Sequence, residues 1–158
     1  MAGGRIVVGV DGSAPALRAL RWAARQAALT GDSLEVLTSW EYPASWSTMM
    51  PGVPSEFDPE RLAKEILNAS VEKVLDPGTA ASVKRVVVGG NAPQALIDAA
   101  KGADLLVVGD RGYSGFKAAV LGSVSSHVTQ HAPCPVVVVR GDLTDEETAD
   151  GEIEDVAV

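Results

Sequence analysis

The chain has 158 residues, 46% hydrophobic but only 4% aromatic, so its apolar content is Ala, Val and Leu, the material of helices packed on a buried sheet in one domain. Its formal charge of −8 belongs to one end: after Arg140 come eight acids (Asp142, Asp145, Glu146, Glu147, Asp150, Glu152, Glu154, Asp155) and no base, leaving 13 acids against 13 Lys and Arg in residues 1–140. A neutral body offers no nucleic-acid surface, and no run reaches the roughly 18 unbroken apolar residues of a membrane span.

The start, MAGGRIVVGV, lacks the long apolar core and cleavage site of a signal peptide, so a soluble, cytoplasmic protein is expected. RIVVGV (5–10) is a β-branched run closed by DGS, a turn and helix-start signal. PALRALRWAARQAAL (15–29) repeats apolar residues at helical spacing, with Pro15 tolerated in the first turn and Trp22 expected in the core. SLEVLTSW (33–40) alternates as a second strand. Residues 41–57 break the rhythm with three prolines and no period, which suggests a lid or a partner contact carried by Trp46, Met49 and Met50. Asp58-Pro59 opens a helix that DPG (76–78) is expected to stop. SVKRVVVG (82–89) reads as a third strand, NAPQALIDAAK as a short capped helix and ADLLVVG (103–109) as an apolar, central fourth strand. A helix over about 121–131 and a fifth strand, CPVVVVR (134–140), complete residues 1–140. The lone Cys134 excludes an internal disulfide and is expected to be buried and inert. Residues 141–158 form the acidic tail, expected to be solvated and disordered, with a protein partner for it left open.

Strands alternating with helices imply a three-layer, doubly wound α/β sandwich with a five-stranded parallel sheet. In such sheets ligands bind beyond the carboxyl ends of the strands. Here those ends carry Gly9-Val10-Asp11-Gly12-Ser13, Gly89-Gly90-Asn91 and the stretch from Gly109 onward. Between residues 107 and 128 lie four glycines and four serines, a density ill suited to packing. Gly109 and Gly112 can turn the chain with positive φ and let main chain approach a ligand. Gly122, Ser123 and Val124 place N–H groups at a helix start, where the dipole favours anions, and the hydroxyls of Ser123 and Ser125 add donors for phosphate. The spacing is neither a Walker A loop nor a G-x-G-x-x-G fingerprint after the first strand. His127 and His131, four apart, have no nearby third ligand to complete a metal site.

VVGVDGS, GDRGYSGFKAAVLGSVSSHV and HAPCPVVVVR together resemble the universal stress protein family, over about residues 4–140. Gly109, Gly112, Gly122 and Ser123 match that family's nucleotide signature, G-x2-G-x9-G-[ST]. The resemblance implies strand order 3-2-1-4-5 in an adenine nucleotide alpha hydrolase-like fold, an ATP-binding subclass and a homodimer joined through the last strand, Pro135 to Arg140. It puts Asp11 at the ribose and phosphates, with Gly9 beneath it and Mg²⁺ reached through the phosphates. Gly109 to Gly115, including Arg111, Gly112 and Ser114, would wrap ribose and phosphates. Ser123 and Val124, with Ser125 nearby, would grip the phosphates, and the main chain from Thr38 to Trp40 would meet adenine. Trp40 departs from the small aliphatic residue often found there. From the residues alone, Asp11 reads equally as the cap of the first helix, and Arg111 as a phosphate partner or a solvated loop charge.

These readings lead to a dimeric, nucleotide-dependent stress-response protein without efficient catalysis. Two alternatives stand beside it: a slow ATPase or phosphotransfer enzyme, for which only Asp11 and Arg111 can be nominated and no base is evident, and a dimeric scaffold without nucleotide.

Overall fold

All five expected strands form in a computed structural model that describes residues 3–42, 58–111 and 121–141. The loop readings at Trp46, Met49 and Met50, the motif positions Gly112, Ser114 and Gly115, and the acidic tail lie outside the described residues. Strand β1 (Arg5–Gly9) leads into helix α1 (Ala14–Thr30), followed by β2 (Ser33–Trp40), α2 (Pro59–Val74), α3 (Pro77–Ser82) and β3 (Lys84–Gly89). The chain continues through α4 (Ala92–Ala100), β4 (Leu105–Gly109), α5 (Ser123–His131) and β5 (Val136–Val139).

Strand order is β3-β2-β1-β4-β5, every pair parallel. The β-branched runs make this sheet because both of its faces are covered. On one face Ile6, Val8, Val36 and Val107 pack with Ala19, Leu20 and Ala23 of α1 and Leu67 and Val71 of α2. On the other, Val7, Leu37, Leu106 and Val108 pack with Ala95, Leu96 and Ala100 of α4 and Val128 of α5. Trp22 is half-buried at the margin of the first cluster rather than inside it. Cys134 is also half-buried, packed beside the second cluster, and loss of solvent there pushes its thiol pKa upward.

Local chemistry sets the helix ends. Ser13 caps α1, Gly31 closes it in the left-handed region at φ 78°, and Asp58 accepts from the Arg61 N–H at 3.0 Å. One expectation is corrected here. DPG ends α2, but it does not hand the chain straight to a strand. Asp76 accepts from the amide and hydroxyl of Thr79 at 3.1 and 2.6 Å and so starts α3, with Pro77 at its first position. These hydrogen bonds stabilise the charged form and lower the Asp76 pKa. Strand β3 therefore begins at Lys84 instead of residue 82.

The amino ends of the central strands are clasped by Arg5. Its guanidinium donates to Glu35 at 3.0 Å and to the Lys101 carbonyl at 2.9 Å, while its amide donates to Asp104 at 2.8 Å. Glu35 is 6% exposed, so this contact neutralises a carboxylate that has lost most of its water. The clasp fixes β1, β2 and β4 at one edge of the sheet and leaves the carboxyl edge for function.

Candidate functional site

At the carboxyl edge the strands end unevenly. β1 pairs with β2 from Arg5↔Ser33 to Gly9↔Leu37, and the Val10 amide extends this by one bond to Leu37 O at 2.9 Å. β2 continues to Trp40 against β3, where the Gly90 amide donates to Trp40 O at 2.8 Å. Parallel pairing alternates sides along a strand. Leu37 therefore bonds toward β1, Trp40 toward β3, and the Ser39 main chain faces the side that β1 has left.

Thr38 is 4% exposed and its hydroxyl donates to Val10 O at 3.0 Å, bracing the turn after β1. The Trp40 indole lies across Gly89, where a built Cβ would come within 3.1 Å of Cζ2, and meets Tyr42 edge-on at 6.0 Å. The large ring at this position is thus accommodated by the bare backbone of the neighbouring strand.

The DGS turn divides its roles. Ser13, not Asp11, caps α1, accepting from the Ala16 N–H. Asp11 is exposed and its Oδ1 accepts from the amide and hydroxyl of Ser13, which fixes the cap from outside. Gly12 has φ 86°, a conformation that L side chains resist. Gly9 is half-buried, and a Cβ there would lie 2.8 Å from Leu96 Cδ2, so this glycine serves helix packing beneath the turn.

Gly109 is a glycine for a different reason than expected. It does not have positive φ; it ends β4 against α1, where a Cβ would stand 2.7 Å from the Pro15 carbonyl oxygen. Its own carbonyl accepts the hydroxyl of Ser125, a residue only 3% exposed. The expectation that Ser125 donates to phosphate is corrected by this contact. The hydroxyl carries one proton, and that proton holds α5 to the end of β4.

The Gly122 amide is also occupied, donating to Asp110 O at 2.7 Å. The remaining amides of the first turn of α5, at Ser123, Val124 and Ser125, have no acceptor among the described residues, and α5 has no side-chain cap. Ser123 is exposed and Val124 half-buried. The result is an uncapped helix N-terminus aimed from the carboxyl edge, suited by partial charge and N–H geometry to an oxyanion.

Asp110 and Arg111 follow β4 and were not read together from the sequence, although their adjacency signals a pair. Arg111 Nε stands 3.6 Å from Asp110 Oδ1, with side chains 7% and 9% exposed. Arg111 is therefore not a solvated loop charge. Among the described residues no cluster of three His, Cys, Asp or Glu gathers to hold a metal ion. His127 and His131 stack at 4.4 Å, and His131 Nδ1 lies 3.0 Å from the His127 carbonyl. No described helix is long and apolar enough to cross a membrane.

With this geometry in hand, comparison with known proteins gives a consistent answer. The profile of the universal stress protein family matches residues 4–140. A universal stress protein of Mycolicibacterium smegmatis is 33% identical over 144 residues, covering 87% of this chain; the chain spans 48%, about half, of that relative's length. A crystal structure of a universal stress protein in complex with cAMP superposes with TM-score 0.60 at 30% identity, covering 88% of this chain and 98% of that one. The Archaeoglobus fulgidus universal stress protein in complex with dAMP gives 0.60 at 28% identity, covering 87% and 98%. Strand order and helix layers are those of the adenine nucleotide alpha hydrolase-like fold.

The two hydroxyls of the α5 start separate by function. Ser125→Ala leaves the Gly109 carbonyl without its buried donor and is expected to lower stability by about 1–2 kcal/mol, whereas Ser123→Ala changes it by less than about 0.5 kcal/mol. Urea unfolding followed by circular dichroism checks both values; equal losses would show that Ser125 is not the brace described.

Proposed function

Because this chain belongs to the universal stress protein family, we propose that it binds an adenine nucleotide, ATP foremost, at the carboxyl edge of its sheet and works as a nucleotide-dependent stress-response protein. The observation that carries this reading is the set of unaccepted first-turn amides at Ser123 and Val124. The cAMP and dAMP complexes of two related proteins support the choice of an adenine ligand.

In this reading the Ser39 main chain meets adenine in the gap left by β1, while Trp40 keeps its packing role on Gly89. Asp11, exposed and with Oδ1 already held by Ser13, presents Oδ2 to the ribose. The amides of Ser123 and Val124 and the Ser123 hydroxyl take phosphate oxygens. Arg111 adds positive charge from behind Asp110. Gly112, Ser114 and Gly115 enter by their place in the family signature. Were a Mg²⁺ ion to accompany the phosphates, it would neutralise their charge, and Asp11 is the carboxylate on this edge that would lie on their side of the cleft.

Fast turnover is not part of this reading. Phosphoryl transfer needs a positioned base beside charge stabilisation, and the sequence nominates only Asp11 and Arg111 for such work, neither of them as a base. Binding that alters conformation or partner choice is the better-supported role. The family also points to pairing of two chains through β5, in the cytoplasm. That strand has β4 on one side only among the described residues, and its four valines are half-buried. An apolar edge of this kind invites a second strand.

The anion reading is tested by Ser123→Asp. An acid in the first turn favours the helix dipole, so the fold is expected to keep its stability, while repulsion lowers ATP affinity at least tenfold by isothermal titration calorimetry. Unchanged affinity in a folded variant contradicts it. For the dimer, Leu106 N bonds to Pro135 O, which gives β5's odd residues to β4 and its even residues to the outer edge. Val138→Pro removes an outward N–H without touching the β4 ladder and is expected to give a folded monomer in sedimentation; an intact dimer contradicts pairing through this strand.

A further inference from the structure

Arg18, in the second turn of α1, plays no part in the nucleotide reading. It is 8% exposed, and its Nε, Nη1 and Nη2 are buried without a hydrogen-bond partner among the described residues. A guanidinium stays protonated at any pH the protein survives, so the charge cannot be shed to suit its surroundings. Burying such a charge without a partner is strongly unfavourable, and any opening that lets water reach it regains that free energy.

The cover over this charge is thin. A Cβ built on Gly141 would stand 2.4 Å from Nε and 2.7 Å from Nη2, so the main chain just past β5 rests directly on the guanidinium. β5 has four residues, all half-buried, and among the described residues it pairs with β4 alone. The bond from the Asp110 amide to Val139 O, at its carboxyl end, measures 3.2 Å, against 2.9 Å from the Leu106 amide to Pro135 O at its start. Asp110 does not offset the charge: it pairs with Arg111, and strand alternation turns it to the opposite face from Gly109, which lies on α1.

The same end of β5 reaches the start of α5 through two hydrogen bonds. Asp110 gives its amide to Val139 O, and its carbonyl receives the Gly122 amide at 2.7 Å. Gly122 is the residue from which α5 begins. Lifting Val139 frees Asp110, and a freed Asp110 no longer fixes Gly122. The Ser125 hydroxyl, bonded to Gly109 O, keeps the rest of α5 on β4 and confines the opening to the helix start. We propose that Arg18 is a built-in weak point, which lets the end of β5 from Val139 to Gly141 lift from α1 into water, with Asp110 and Gly122 opening as part of the same unit. The structure is the closed state of this strap, held down by the apolar packing of Val137 and Val139 and pushed up by the buried charge. The opening unlocks the start of α5 whether or not a nucleotide binds there, so the inference goes beyond the nucleotide reading and does not depend on it.

The test is amide hydrogen exchange by NMR on the full chain without nucleotide, unaltered and as Arg18→Met, whose unbranched side chain fills similar space without charge. In the unaltered chain the amides of Val139, Asp110 and Gly122 are expected to share one protection factor to within about threefold. That protection is also expected to ignore sub-denaturing urea, the mark of a local opening. Arg18→Met is expected to raise the protection of all three by about tenfold or more and to raise Tm by about 4 °C. Unchanged or lowered protection in Arg18→Met overturns the proposal, because it means that an oxyanion completes the guanidinium in solution, and so does a Met variant that fails to fold. Protection factors for the three amides that spread over more than about tenfold in the unaltered chain overturn it as well, a readout that needs no variant.

Discussion

The parallel pairing of β1 with β4 is the constraint on which the rest of the structure depends. Ile6↔Leu105, Val7↔Leu106 and Val8↔Val107 join two strands from opposite ends of the chain's order, with β2 and β3 wound off to one side and β5 to the other. The connections after β1 and β4 therefore leave in opposite directions and cannot cover the edge between them. Apolar burial on both faces drives the pairing: Val7, Val8, Leu106 and Val107 are at most 0% exposed. The gap is thus a product of core packing, and the polar residues around it are placed by strands that have no freedom to move.

Around this gap the protein uses its hydrogen bonds unevenly. Thr38, Ser13 and Ser125, each buried, commit their hydroxyls to the protein's own backbone or to Asp11. These contacts brace the turn after β1 and the join between β4 and α5 at the carboxyl edge. Among the described residues, what remains without an acceptor is main chain, the amides of Ser123 and Val124, while the Ser39 main chain faces the side that β1 has left. A site of that composition suits an anion and a flat, hydrogen-bonding ring, the chemistry of the nucleotide proposed above.

Much of the fold was legible because its signals are local and repeated. The β-branched runs at 5–10 and 33–40 and the Asp58-Pro59 and Asn91 starts each carry their own cause in neighbouring residues, and the expected boundaries hold to within a few residues. The exception, α3, arises because Asp76-Pro77 is both a stop for one helix and a start for the next, and a single chain position cannot say which. The site was legible by spacing but not by role. Gly109 opens the signature and Ser125 lies two residues past its end, yet their contacts, with Pro15 and with each other, cross between different elements of the fold. Arg18 was hidden more thoroughly: on a helix with Arg21 and Arg25 it looks like another surface charge, and only packing against Gly141 shows it buried.

The central claim is that a nucleotide's phosphates rest on the start of α5 and its base in the gap beside β1. Amide chemical-shift mapping during ADP titration addresses both ends of the ligand at once. The account predicts the largest shifts at Ser123, Val124 and Ser39, with the Arg5 clasp at the opposite edge unmoved. Saturable shifts centred anywhere else on the sheet, or none at all, would contradict it.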